Sequence, residues 1–105
     1  MSDPVVLTVT LTPLEGRAPE VLATLQEAVP KVHEEAGCLL YSVHENPDGT
    51  IFMIEKWESQ EHLEAHTAGP AIAALSAAQT PLLAEPLAVS VLRPVPMGDP
   101  QRGAL

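Results

Sequence analysis

The 105-residue sequence predicts one α+β domain, with strands and helices in the order β-α-β-β-α-β. Three observations carry that expectation. Short runs near residues 5–12, 38–45, 50–57 and 87–92 have the period-two alternation of half-buried strands. Two longer segments space their apolar residues as a helix does. The turn Asn46-Pro47-Asp48-Gly49 joins the two middle strands, with proline presetting one dihedral and glycine accepting a positive φ. Two split β-α-β units of this kind give a four-stranded antiparallel sheet with its helices on one face, the ferredoxin-like arrangement.

The first strand places Val5, Leu7, Val9 and Leu11 on one face and Thr8, Thr10 and Thr12 on the other, and Pro13 and Gly16 close it. A helix then begins near Pro19, a residue tolerated in a first turn. Val21, Leu22, Leu25, Val29 and Val32 form its apolar side, while Glu20, Glu27, Lys31, Glu34 and Glu35 cover much of the rest. Pro30 removes a backbone donor, so this helix is expected to bend or split there, and Gly37 is a left-handed stop. After the hairpin, Ser59 caps a second helix that carries Glu61 in its first turn. Gly69-Pro70 interrupts it, and the alanine-rich residues 71–79 continue in a new direction. The last apolar segment, residues 82–93, contains Pro86, so its strand belongs at a sheet edge or begins after the proline. Residues 1–93 thus form the domain, and residues 94–105 a Pro/Gly-rich tail expected to be mobile unless a partner holds it. A sheet coated on one side only predicts self-association through its bare face, most simply as a homodimer.

The net charge of −9, from fourteen acids and five bases, opposes binding to nucleic acid or to an anionic membrane. The N-terminal residues lack a positive start and a continuous apolar run, so no targeting or spanning segment is expected. A single cysteine, Cys38, fits a reducing cytoplasm. It follows a helix end and is expected to be a small buried hydrophobe and not a nucleophile.

Chemistry concentrates in residues 37–66, which hold Tyr41, His44, Glu55, Trp57, His62 and His66, including the only Tyr and the only Trp. Alternation puts Glu55 between Met53 and Trp57 on an otherwise apolar face. A carboxyl there has its pKa raised by desolvation and suits proton transfer; the alternative is a rim position paired with Arg93 or Lys31. Trp57 is the wall of a core or of a pocket. His62 and His66 share a helix face, but His-Leu-Glu-Ala-His lacks the glutamate that a metalloprotease needs directly after its first histidine. No third ligand has convincing spacing, with His44 and Cys38 the remaining candidates, and no metal site is expected. His66, three residues after Leu63, either faces the sheet beside Glu55 or is satisfied by a backbone carbonyl at its helix end. Tyr41 and His44 fall on opposite strand faces, so at most one lines the same cavity. The glycines, at 16, 37, 49, 69, 98 and 103, match neither a dinucleotide nor a P-loop fingerprint, so the sequence advertises no bound cofactor.

The run Glu35-Ala36-Gly37-Cys38-Leu39-Leu40-Tyr41, then Ile51 through Glu55-x-Trp57, then Leu63-x-x-His66, resembles the antibiotic biosynthesis monooxygenase (ABM) family, which includes quinol monooxygenase-like proteins. The likeness covers roughly residues 4–93. It implies a dimeric α+β barrel, formed when two ferredoxin-like sheets pack face to face. It also implies O2-dependent oxygenation of a quinol-like or polyketide-like aromatic without flavin, haem or metal. Glu55, Trp57 and His66 match recurrent positions of the family, and His66 and Glu55 are the candidate catalytic residues. Trp57, Met53, Leu63, Leu7, Val9 and His44 are the candidate substrate contacts. Haem degradation in the family uses an Asn and a His where this chain has Leu7 and Ser76, and is disfavoured. An isomerase of a small carbonyl metabolite and a non-catalytic binder of an aromatic ligand are the alternatives.

Overall fold

The computed structural model describes residues 3–105. Its elements are β1 (Val5–Leu11), α1 (Ala18–His33), β2 (Cys38–Glu45), β3 (Ile51–Trp57), α2 (Gln60–Thr67), α3 (Pro70–Gln79), a 3₁₀ turn (Thr80–Leu82) and β4 (Ala88–Leu92). The strands form one antiparallel sheet in the order β2-β3-β1-β4, the ferredoxin-like topology. β4 is an edge strand that begins after Pro86, which keeps the missing proline donor out of the ladder.

Alternation sorts the sheet into two faces. Leu7, Val9 and Leu11 of β1 and Ile51, Met53, Glu55 and Trp57 of β3 are buried against the helices. Thr8, Thr10, Phe52 and Ile54 lie on the other face and are only half-buried. From α1, Val21, Leu25, Ala28 and Val32 enter the same core. Each fully buried side chain of this size contributes about 1.5–3 kcal/mol of transfer free energy.

α1 is not split at Pro30; it runs unbroken to His33. Ala28 before the proline and Val32 after it are both buried, so one core holds both halves. The proline is exposed, as is Gln26, whose carbonyl loses its helical donor and can be hydrated instead. Gly37 ends the connection with φ +80°, and a β-carbon there would lie 2.3 Å from the His62 ring. Glycine is therefore required twice over, by the backbone and by the helix beside it. Ser59 Oγ accepts the backbone N–H of His62, capping α2. The tail turns back on itself, with Asp99 accepting the N–H groups of Gln101 and Arg102. Lys56 donates to the Leu105 carbonyl. Among the described residues, no helix is long and apolar enough to cross a membrane.

Candidate active site

Antiparallel register sets the floor of the site. Glu55 stands opposite Leu7 on one side and Tyr41 on the other, all three turned toward the helices. Two residues on along the same face, Trp57 donates its indole N–H to Glu55 Oε1 at 3.1 Å. Glu55 is only 5% exposed, and neither suggested ion-pair partner reaches it: Lys31 pairs with Glu27 at 3.5 Å, and Arg93 is exposed. Burial pushes the Glu55 carboxyl above its ordinary value. The Trp57 donor and the nearby His66 offset part of that rise, while the Glu35 charge adds to it.

His66 comes from the last turn of α2 and is 4% exposed. Its ring stacks on Trp57, with centroids 4.4 Å apart and planes at 28°, and meets Tyr41 edge-on at 5.5 Å. Its Nδ1 lies 2.7 Å from Glu35 Oε1, so its partner is a carboxylate and not a backbone carbonyl. An ionised carboxylate only accepts, so Nδ1 carries the hydrogen and neutral His66 presents the lone pair of Nε2. Among the described residues, Nε2 has no protein hydrogen-bond partner. Glu35, just beyond α1, is the group that orients this ring, and 31 residues of chain separate the two.

A cavity of about 180 Å³ opens between the sheet and the α2–α3 pair. Leu7, Val9, Met53, Glu55 and His66 line it. Trp57 and Leu63 do not: both are buried behind that lining, and Trp57 backs His66 and Glu55 without reaching the space. His44 is not a cavity residue either; it lies exposed opposite Phe52, on the far face of the sheet, because it is an odd number of residues from Tyr41. The lining also holds three polar residues that are not among the candidate site residues, Tyr41, Thr67 and Gln79. Burial and the charges of Glu55 and Glu35 raise the Tyr41 pKa, keeping the phenol neutral. Gln79 had a visible signal: Ile72, Leu75 and Gln79 are spaced i, i+3, i+7 along α3, which places a polar residue on its apolar side.

A larger groove of about 580 Å³ runs between α1 and the α2–α3 pair, and His66 and Glu35 line it as well. The smaller cavity is the better candidate because the buried polar groups Glu55, His66 and Gln79, with Tyr41, all stand on its largely apolar wall. His62 is occupied elsewhere, its Nδ1 2.7 Å from Ser59 Oγ. Among the described residues, no group of three or more His, Cys, Asp or Glu side chains is placed to hold a metal ion. Burial, together with Glu35 and Glu55, pushes the Cys38 thiol up, away from the thiolate.

Comparison with known proteins places this geometry in context. The family profile described as "Antibiotic biosynthesis monooxygenase" matches residues 4–78. "Putative monooxygenase Rv0793" of Mycobacterium tuberculosis is 28% identical over 96 residues, covering 90% of this chain and 95% of that protein. Its solved structure superposes with a TM-score of 0.85 at 26% identity, over 92% of this chain and all of the other. PA3566 from Pseudomonas aeruginosa gives a TM-score of 0.80 at 29% identity, covering 89% of this chain and 95% of that one.

Proposed function

The chain belongs to the antibiotic biosynthesis monooxygenase family, and on that premise we propose that it oxygenates a single-ring, quinol-like aromatic with O2, using no bound cofactor. The observation that carries this reading is the placement of buried Glu55 and Glu35-anchored His66 on the wall of one largely apolar, partly open cavity. The volume supports the quinol-like end of the substrate range. An apolar cavity of about 150 Å³ holds benzene, so about 180 Å³ suits one substituted ring. A fused polyketide-like skeleton would need the α3 or β4 wall to yield.

The chemistry follows from the placement of protons. His66 Nε2 takes a ring hydroxyl proton, and the imidazolium so formed faces the Glu35 carboxylate. The aryloxide is itself the reductant: it gives an electron to O2, and recombination at a ring carbon forms a C–O bond as a hydroperoxide protonated by His66. His66 Nε2, neutral again after that transfer, takes the hydrogen of that carbon as a proton while the O–O bond breaks. Glu55, held toward its neutral form by burial, protonates the departing oxygen. The net reaction is hydroquinone plus O2 giving hydroxyquinone plus water. The substrate supplies all four electrons; one oxygen atom stays in the product and the other leaves as water.

We further propose that the chain works as a cytoplasmic homodimer. Its apolar edge strand supports this, since Val89, Val91 and Leu92 are all exposed in the single chain, and so does the half-covered outer face bearing Phe52 and Ile54.

The test is oxygen uptake by metal-stripped protein with a panel of hydroquinones, each trace compared with autoxidation and with His66→Ala. Saturable uptake above autoxidation, lost in the variant, is the expected result. Uptake at the autoxidation rate across the panel would overturn the oxygenation. Turnover under nitrogen would instead favour the isomerase, whose proton transfers need the same two side chains.

A further inference from the structure

Gln79 is the last residue of α3, only 4% exposed, and it lines the cavity. Its Oε1 is fully enclosed and has no hydrogen-bond partner, the one such side-chain atom among the described residues. An enclosed amide oxygen left without a partner costs about 1–3 kcal/mol, and turning the amide end over lets Oε1 meet a group bound in the cavity that Gln79 lines.

Its position in the cavity follows from the chain beyond α3. Leu14 N donates to Leu82 O, and Ala84 N donates to Thr12 O. The C-terminal end of α3 is therefore pinned to the Leu11 end of β1, whereas Glu55 stands opposite Leu7. Leu7 and Leu11 are separated by about 13 Å of strand, and Ile72 and Gln79 by about 10 Å of helix. Val9, Met53, Ile72 and Leu75 line the interval without a hydrogen-bonding side chain. Tyr41, paired with Glu55, and Thr67, next to His66, belong to the Glu55 end, so the cavity has two polar poles, that end and Gln79, on the order of 10 Å apart. One aromatic ring with hydroxyls on opposite sides, each adding a hydrogen bond of ~2.7–2.8 Å, spans a distance of that order.

We propose that Gln79 is a specificity-determining residue that selects ligands carrying a hydroxyl para to the one that reacts at His66. This rests on reading the cavity as the substrate site. A carboxamide both donates and accepts, and a hydroxyl does the same, so a hydroxyl pairs with whichever amide atom is turned to the cavity and completes Oε1 when that atom is the one. The preferred class is the 1,4-dihydroxybenzenes, and monophenols with a para methyl group leave the amide orphaned.

The test measures binding under nitrogen, which separates it from turnover. Hydroquinone and 4-methylphenol are titrated against the intact protein, with quenching of Trp57 as the readout. The variants are Gln79→Leu and the unbranched Gln79→Met, each checked by thermal unfolding. The wild-type protein is expected to prefer hydroquinone by about 10- to 100-fold. Both variants are expected to lose that preference, chiefly by binding 4-methylphenol more tightly. Equal binding of the two probes by wild type, or an unchanged preference in both variants, would overturn the proposal and leave a water molecule as the partner of Gln79. A Gln79-dependent preference without oxygen uptake would refute oxygenation while leaving this assignment standing. Oxygen uptake indifferent to Gln79 would do the reverse.

Discussion

Replacing Glu55 by Gln isolates the consequence of burying an ionisable group. Glutamine keeps the shape and, through its own Oε1, the acceptor for the Trp57 indole 3.1 Å away, but it cannot ionise. Burial holds the native Glu55 carboxyl above its ordinary 4.5. Between 4.5 and the raised native value, the folded chain therefore binds more protons at this site than the unfolded chain does. The sign follows: the contribution of Glu55 is fully present below 4.5 and is lost as pH rises through the native value. One group changes stability by at most about 1.4 kcal/mol per pH unit. The stability of Glu55→Gln relative to wild type should thus be level below 4.5, climb at up to that slope above it, and then level off. The assay is urea unfolding from pH 4 to 8 at one fixed protein concentration, followed by the fluorescence of fully buried Trp57. The ionisations shared by the two proteins cancel in the difference. A flat difference across the range would mean that the carboxylate is effectively solvated. A difference that falls with pH would mean that the fold stabilises the anion. Either result would refute the reasoning.

Glu35→Gln removes the charge facing His66 but keeps a hydrogen-bonding end, so kcat for quinol oxygenation should fall roughly tenfold with little change in KM, and Glu35→Asp should restore part of the rate. A kcat unmoved by Glu35→Gln would remove the residue's orienting role. Gly37→Ala should lower stability by more than the ~1–2 kcal/mol of a left-handed alanine, since its β-carbon also meets the His62 ring; a wild-type denaturation midpoint would contradict this. Trp57→Phe deletes the donor to Glu55, and the Glu55 carboxyl should titrate still higher in carbon-detected NMR, because the lost indole bond had held it down. Phe52→Glu, on the outer face of the sheet, should yield a monomer in sedimentation, and an unchanged assembly would move the interface elsewhere.

What the sequence determined by itself is whatever a few neighbouring residues decide. Period-two alternation put Glu55 and Trp57 on one face of β3, because successive side chains in a strand have no other choice. Ser59 capped α2, and Gly37 took the positive φ, for reasons contained in a single turn of chain. Of the two outcomes open at Pro30, a split did not occur, because the common core buries Ala28 and Val32 on either side of it, and local reasoning could not choose between them. Only the tertiary structure could decide the site, because its contacts join elements distant in sequence. Glu35 finds His66 across 31 residues, which depends on how α1 crosses α2. Trp57 sits behind the cavity wall and not in it, because His66 stacks over the indole and takes the position facing the open space. Gln79 becomes the far pole only because the turn after α3 ties that helix end to β1. A periodic pattern says which way a side chain points; what it meets there is settled by the packing of separate elements.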